Sequence, residues 1–376
     1  VLMSKKVVSL LFSNYKNDNR VFKMATSLAE NGYDVTILAL CYGDVPEAET
    51  QGKINVRRLK LKSSKLPSGN KIFGSIKYLE FIFRIIWGYR KADIWHCNDF
   101  KPFMVGVMAR FFNRKLKLVY DCHELESERN GVTSIERFLV LKVEKWFIKK
   151  SFVIHVSEGI KNYYKTKYGT ADNQTEIILN TPHTSVYVKS NVLKERLNLL
   201  PEDKLYIYQG GLMKGRGIET LLTVFTELSE FHIAFMGYGA FEEKIKLASK
   251  ENNNIHFVPA VPYNEVVTYT SSADYGLISV ENICLSYYYC MPNKLFEYVQ
   301  AEIPILVNAL EDCRNFVEGN GIGLAVKEET PESWREAVLE LSKRDKSEFT
   351  SNLKTVKEIY NWQNEEKKLL EFYKKV

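Results

Sequence analysis

Short apolar runs alternate with stretches of helical period along this chain, and the series occurs twice. KKVVSLLFS (5–13) is a continuous apolar run that reads as a buried strand. From Asp18 onward, Val21, Met24, Ala25 and Leu28 recur at i, i+3, i+4 and i+7 and predict a helix, which Asn31-Gly32 stops. Strands follow at Asp34–Leu40 and near Ile54–Leu61, then an aromatic helix over 72–90. A strand at Asp93–His96 leads to a helix over Phe100–Phe112, a strand at Lys117–Asp121 and a helix over about 134–150. A strand at Phe152–Val156, a helix after Ser157 and a strand at Glu176–Leu179 complete the first series.

Between Asn180 and Asp203 the rhythm lapses into a stretch with two prolines, which reads as a linker. The second series opens with a strand at Lys204–Gln209, a glycine turn, and a helix near Arg216 with Ile218, Leu221, Leu222, Phe225 and Leu228 on one face. A strand at Phe231–Met236 ends in Gly237-Tyr238-Gly239 and is followed by a helix. Then come a strand at Ile255–Val258, a helix from Pro262, a strand at Ala273–Ser279, a helix from Pro292 and a strand at Pro304–Asn308. The last helices cover about 331–345 and 362–375. Strands alternating with helices imply βαβ units, here two doubly wound parallel sheets facing each other across the linker.

Composition narrows this picture. The chain has 376 residues, enough for two domains at roughly 150 residues each. With 45% hydrophobic and 26% charged residues it is ordinary for a globular protein, which excludes a disordered, collagenous or disulfide-scaffold chain. Six cysteines without C-x-x-C pairs fit reduced thiols in the cytoplasm. The opening segment runs straight into a strand with no cleavage pattern, so no signal peptide is expected, and Val1-Leu2 ahead of Met3 reads as a cloning scar. No apolar run reaches the ~20 residues of a membrane span.

Charge is uneven. Residues 1–180 carry 30 Lys and Arg against 18 Asp and Glu, whereas residues 181–376 carry 22 against 28. A basic first half suits an anionic partner surface, or it is a set of solvated lysines; both readings stay open. The 72–90 helix has two readings as well. Its stripe of Ile72, Phe73, Ile76, Leu79, Phe83 and Ile86 is either core packing or a face for a membrane surface.

Ligands of open parallel sheets lie outside the carboxyl ends of the strands, so the polar residues there carry the chemistry. In YQGGLMKGRGIETLL (208–222) a strand runs into Gly210-Gly211, with Lys214 and Arg216 at the mouth of a helix. Glycines admit close backbone approach, a helix N-terminus offers unpaired N–H groups, and cations neutralise phosphate. The plainer alternative is a glycine turn with surface cations. In YYYCMPNKLFEYVQAEIPILV (287–307), Pro292 suits a helix start and Glu297 follows Lys294 by three. That carboxylate can accept two ribose hydroxyls, or the pair is a solvated i,i+3 ion pair.

Together these segments resemble the nucleotide-sugar half of a GT-B glycosyltransferase, most closely glycosyltransferase family 4. The family turn G-R-L-x-x-x-K-G corresponds to Gly210 through Gly217, with Arg216 in place of the lysine and Gly211 in place of the arginine, so that Lys214 is the candidate second cation. Gly237-x-Gly239 matches the family G-x-G, and Lys294, Leu295, Phe296, Glu297 and Tyr298, followed by Ile303-Pro304, match its donor helix, with Asn293 just ahead as a further binding candidate. The segment 257–277 resembles the part whose backbone holds the nucleobase, near Val261. One position departs from the pattern. The first acid of the family's Glu-x7-Glu falls on Tyr289, which leaves Glu281, Tyr289 and Met291 as donor-sugar candidates.

In the first half, Asn17-Asp18-Asn19-Arg20-Val21 resembles the family D-x-R-V, and Ser13-Asn14-Tyr15 stands where Gly-Gly is usual. By the resemblance His123 lies near the donor sugar, with Asp99 and Glu124 as acceptor-side candidates; His96 stays undecided and Ser157 is at least a helix cap.

The resemblance implies an acceptor domain over 1–182, a linker over 183–203, a nucleotide-sugar domain over 204–358 and a terminal helix over 359–376 that crosses back to the first domain. It implies sugar transfer from a nucleotide diphosphate sugar, UDP ahead of GDP, to a hydroxyl of a glycan or lipid-linked glycan in bacterial surface polysaccharide synthesis. No D-x-D motif is present, which is consistent with metal-independent, retaining transfer and no tightly bound cofactor. The expected setting is cytoplasmic, with the inner face of the membrane as a contact and no nucleic-acid partner. An acceptor-free sugar-nucleotide epimerase and a catalytically degenerate binding partner are the alternatives.

Overall fold

The computed structural model describes residues 4–16, 18–65, 71–184 and 189–376; Val1-Leu2-Met3 and Asn17, singled out above, lie outside them. The chain divides into two compact units, Val1–Ile178 with Glu366–Val376, and Leu179–Glu365.

The first unit holds β1 (Lys6–Leu10), α1 (Asn19–Glu30), β2 (Asp34–Leu40), β3 (Ala48–Gln51), β4 (Ile54–Leu59), α2 (Lys71–Tyr89), β5 (Ile94–Asn98) and α3 (Phe100–Phe112). It continues with β6 (Lys117–Cys122), α4 (Ser134–Phe147), β7 (Phe152–His155), α5 (Glu158–Tyr168) and β8 (Thr175–Ile177). Asp18 caps α1 by accepting from the Val21 amide, and Ser157 caps α5 by accepting from the Ile160 amide. Among the described residues the eight strands run in the order β3-β4-β2-β1-β5-β6-β7-β8, all parallel except the edge strand β3. That strand, AETQ, was not expected: it lacks an apolar signature and forms by antiparallel pairing with β4.

Right-handed crossovers put α2, α3, α4 and α5 on one face of this sheet and α1 on the other. Side-chain alternation along β6 fits that layering. Tyr120 faces Glu144 of α4 and Cys122 faces Tyr164 of α5, while Asp121 faces Arg20 of α1. α3 lies close on the sheet at Gly106, where a Cβ would stand 2.9 Å from Cys97 Sγ. The α2 stripe is mostly not core: Ile72, Ile76, Leu79 and Phe83 are exposed, Phe73 is half-buried and Ile86 is buried, while Phe81, Ile82 and Ile85 beside Ile86 are the other packed positions.

The second unit contains α6 (Val192–Arg196), β9 (Leu205–Gly211), α7 (Ile218–Glu227), β10 (His232–Tyr238), α8 (Glu242–Glu251), β11 (Ile255–Pro259), α9 (Tyr263–Thr270) and β12 (Tyr275–Ile278). It continues with α10 (Leu285–Tyr288), α11 (Asn293–Gln300), β13 (Ile305–Val307), α12 (Glu311–Gly319), β14 (Gly323–Ala325), α13 (Pro331–Lys343) and α14 (Ser347–Ile359). The last helix, α15 (Trp362–Lys375), carries the boundary between the units. Of these, α6, α10, α12, β14 and α14 were not anticipated; α6 and α10 are short and occupy stretches read as linker and loop. The six strands, all parallel, are ordered β11-β10-β9-β12-β13-β14. Chain direction across the sheet reverses between β9 and β12, a topological switch point; in the first unit the switch lies between β1 and β5.

A buried carboxylate joins α4 to β6. Glu144 accepts from the hydroxyls of Tyr120 at 3.3 Å, Tyr164 at 2.5 Å and Tyr168 at 2.6 Å, and the Cys122 thiol donates to Tyr164. Burial raises the Glu144 pKa even though the three hydroxyls act to lower it. Glu144→Ala strands three buried donors and should destabilise the first unit by about 3 kcal/mol, whereas Tyr168→Phe should cost about 1 kcal/mol. Urea unfolding followed by near-ultraviolet circular dichroism checks this; equal effects of the two changes would contradict it.

Candidate functional site

In the first unit the switch point puts the loop after β1 beside the end of β5. The loop at Asn14 and Tyr15 is held by buried Arg58, which donates to the Asn14 carbonyl at 2.8 Å and the Pro46 carbonyl at 2.9 Å. Beside it, Asp121 is fully buried and takes a bidentate pair from Arg20, Nε to Oδ2 at 2.9 Å and Nη2 to Oδ1 at 2.7 Å. Burial alone would protonate this acid. Arg20, His123 and His96 outweigh it and hold the Asp121 carboxyl well below the usual range.

His123 is clamped between two carboxylates, with Nε2 at 3.0 Å from Asp121 Oδ2 and Nδ1 at 3.2 Å from Asp99 Oδ1. Burial opposes its charge, yet Asp99 and Asp121 together raise its pKa well above the usual imidazole value. Asp99 has φ of 73°, a left-handed conformation strained for a residue with a Cβ, and its amide donates to the Asp121 carbonyl at 3.0 Å. His96 is buried: Nδ1 lies 2.6 Å from the Tyr373 hydroxyl, and Nε2 faces Asp121 at 3.5 Å. Tyr373, on the terminal helix, is therefore linked through His96 to the acid that holds His123.

Glu124 is half-buried next to this group. Glu126 was not singled out by sequence. It accepts from the Phe100 amide at 3.4 Å, and burial with Asp99 and Glu124 pushes its pKa up to about 7.

In the second unit α11 is seated by Tyr298. Its ring lies over Gly276, where a Cβ would come within 2.5 Å, and its hydroxyl reaches the Ile207 and Leu277 carbonyls at 3.1 Å. One turn earlier, this orientation puts Lys294 at the carboxyl end of β9. Lys294 is 9% exposed, with Nζ 3.6 Å from the Tyr208 ring centroid and no hydrogen-bond partner among the described residues. It is not the solvated member of an ion pair that the spacing allowed. Gly210, at φ of 115°, leaves open the space beside it, since a Cβ would sit 3.6 Å from Lys294 Cε. Burial and the neighbouring Arg216 push the Lys294 pKa down to about 7, against the pull of Glu297.

Glu297 is half-buried and oriented by Gln209, whose Nε2 donates to it at 2.5 Å and whose Oε1 accepts from Thr270 at 2.5 Å. Gln209 lies inside the quoted motif, but a lone glutamine between apolar residues gives no signal of its role. Arg216 stacks on Tyr287, with Cζ 4.9 Å from the centroid, and its carbonyl accepts from Ser279. Gly217 has no room for a side chain, because a Cβ would fall 2.1 Å from the Ser279 carbonyl. Its amide donates to Glu281 at 3.1 Å, so the Glu281 carboxylate caps α7.

The remaining candidates divide by position. Gly237 pairs with Gly210 across β9 and β10, and Gly239 donates to Glu242 at 2.9 Å at a position where a Cβ would meet Leu212 O at 2.4 Å. Gly211 is half-buried and pairs with Tyr238 across the same two strands. Lys214 is exposed; Val261, Tyr289 and Met291 are half-buried. Asn293 accepts from Asn180 at 2.9 Å. Leu295 is wholly buried and its amide donates to Pro292, so its side chain serves the core.

Comparison with known proteins places these two units. Residues 18–185 match the model described as Glycosyltransferase Family 4, and residues 203–344 match that described as Glycosyl transferases group 1. The sucrose-phosphate synthase of Thermosynechococcus elongatus is similar at a TM-score of 0.81 and 17% identity, over 98% of each chain. Anabaena HepE in complex with UDP and glucose is similar at 0.73 and 13% identity, over 99% of this chain and 100% of that one. The α,α-trehalose 6-phosphate synthase of Burkholderia multivorans is similar at 0.72 and 9% identity, over 99% and 98%. No curated protein matches in sequence.

Two outcomes follow from the first-unit geometry. Asp99→Asn should lower the His123 pKa while Arg20 and Asp121 stay paired; a ring-proton NMR titration unchanged from wild type would show that Asp99 does not hold the charge. Glu126 keeps its proton in the folded state up to about pH 7, above its ordinary 4.5, so the folded state binds a proton that the unfolded chain releases. Stability is therefore lost as pH rises across that window. Glu126→Gln should be more stable than wild type by on the order of 1–3 kcal/mol above pH ~7 and equal to it near pH ~4, by thermal or urea unfolding.

Proposed function

The chain is a GT-B glycosyltransferase of the family-4 type, and from that premise we propose that it transfers a sugar from a UDP-sugar to a hydroxyl of a glycan or lipid-linked glycan. The carrying observation is Lys294, a buried amine without a hydrogen bond, beside the space left by Gly210 and next to a carboxylate that Gln209 holds. A polyanion would supply what this amine lacks.

In this reading Lys294, Arg216 and Lys214 take the diphosphate, Glu297 accepts the ribose hydroxyls, and the backbone at Gly237, Gly239 and Val261 lines the base. That assigns the donor to the second unit and the acceptor to the first. UDP is favoured over GDP because HepE, similar over its whole length, has been solved with UDP and with UDP-glucose. Glu281, Tyr289 and Met291 are the donor-sugar candidates, with Tyr289 in the place of the family acid.

His123, held as a cation by Asp99 and Asp121, would contribute positive charge toward the leaving phosphate, and its Nδ1–H would donate to a sugar hydroxyl only by exchanging the exposed Asp99 carboxylate for it. Asp99 and Glu124 are the acceptor-side groups. Transfer would retain the anomeric configuration, with cations and backbone amides carrying the leaving-group charge. The setting is the cytoplasm at the inner face of the membrane, in surface polysaccharide assembly.

Lys294 gives a direct test. With a pKa of about 7, much of it is neutral at pH ~8, and a diphosphate favours its charged form. UDP binding should therefore take up a proton at pH ~8, where the diphosphate itself is fully ionised, read by calorimetry in buffers of different ionisation enthalpy. Lys294→Met should abolish the uptake, and Arg216→Ala should weaken UDP about 10- to 100-fold. Unchanged UDP affinity in both variants would sink the assignment. Turnover of UDP-GlcNAc to ManNAc without acceptor would identify an epimerase instead.

A further inference from the structure

Large exposed apolar side chains concentrate on one side of the first unit. Phe83 and Trp87 of α2, Phe111 of α3 and Trp146 of α4 are between 61% and 72% exposed, and Leu79 and Phe138 lie on the same helices. The crossover geometry puts α2, α3 and α4 on one face of the sheet, and α3 touches both of its neighbours. They form one three-helix surface, larger than the scattered apolar residues normal on a soluble protein.

The exposed charge around this surface is mainly basic. Arg90 stacks on Trp87 at 4.0 Å and Lys142 lies over Phe138 at 5.4 Å, with Arg114, Lys115, Lys145 and Lys149 exposed nearby. The acids of these helices are otherwise engaged. Glu80 accepts from the Lys62 and Ser63 amides, Glu136 closes the α4 capping box with Thr133, and Glu144 is buried under three tyrosines. Aromatic and aliphatic tips with cations stacked over them are the arrangement of a surface that enters the headgroup region while its charges stay with phosphate.

We propose that this α2–α3–α4 face docks on an anionic lipid membrane, apolar tips inserted and cations on the lipid phosphates. A second copy is the poorer occupant, because an isologous contact would press two cationic surfaces together. The proposal rests on the membrane setting proposed above and names the surface and the chemistry that would produce it; no helix of the described residues is long and apolar enough to cross the bilayer.

The test is co-flotation of the full chain with phosphatidylcholine vesicles, with and without phosphatidylglycerol. Wild type should float with the anionic vesicles and much less with neutral ones. Phe83→Ser with Trp87→Ser should weaken anionic-vesicle binding about tenfold or more, and Lys142→Glu with Lys145→Glu should remove the preference for phosphatidylglycerol. Near-ultraviolet circular dichroism and the urea midpoint of the first unit should stay at the wild-type values in both double variants, which shows that they fold, and unchanged UDP affinity keeps the donor assignment separate. Failure of wild type to float overturns the membrane setting and the surface together. Flotation unaffected by either double variant overturns the surface alone. A wild-type dimer that Phe83→Ser with Trp87→Ser converts to monomer assigns the face to a second copy instead.

Discussion

A charge taken out of water must be matched or given up, and the carboxyl edges of the two sheets meet that constraint in opposite ways. Asp121 is matched: Arg20 covers both oxygens, and His123 and His96 approach the same carboxylate. It can be fully buried and still ionised, and it fixes the position of a histidine that Asp99 then clamps from the other nitrogen. Lys294 is not matched. It has the face of Tyr208 and the pull of Glu297 but no hydrogen bond among the described residues, and burial beside Arg216 pushes its pKa down to about 7. A buried group with an unmet charge persists only where its surroundings leave it no alternative. Here Tyr298, locked over Gly276, fixes the helix that carries it. One edge is electrostatically complete as folded, and in the reading proposed above an anion completes the other.

Backbone alternation explains how one strand serves both structure and site. Along β6, Tyr120 and Cys122 turn to the Glu144 cluster while Asp121 turns to Arg20 and the histidines. The tyrosine network anchors α4 to the sheet, and the strand it anchors carries the acid that positions His123. The terminal helix joins the same layer through Tyr373 and His96. Removing α15 would thus disturb the polar group at the strand ends as well as the core beneath it.

Much of this was legible in the sequence because parallel strands and amphipathic helices leave strong local periods. The strand Asp34–Leu40 and the helix Phe100–Phe112 fall where the pattern put them, and Asp18 and Ser157 cap their helices as residues of their type do. What escaped has non-local causes. β3 exists only because β4 pairs with it, and β14 is three residues long at a sheet edge. α2 is apolar on more than one side, so its period identifies a helix without saying which stripe the sheet will cover. Of the stripe that the period picks out only Ile86 is fully buried, and Phe81, Ile82 and Ile85 are the residues that pack with it. Gln209 and Glu126 owe their roles to groups distant in sequence, which no local spacing reveals.

The departures from the family turn are intelligible in the same terms. Gly217 and Gly239 have backbone carbonyls where a Cβ would stand, so any side chain there breaks the turn. Gly211 is different, since the nearest atom to its Cβ position is the flexible end of Met213. Nothing rigid excludes a side chain there, and the loss of an arginine at that place is a loss of charge rather than a steric demand. In the reading proposed above, Lys214 on the exposed loop supplies the missing charge, beside Arg216 braced on Tyr287 and Lys294 beneath the strand end. Attraction for a diphosphate depends on the summed potential where the oxygens lie, not on which backbone position supplies each cation. A turn that has exchanged its motif residues can therefore keep a positive potential at the strand end, which is what the proposed diphosphate site requires, provided the glycines that shape the backbone remain.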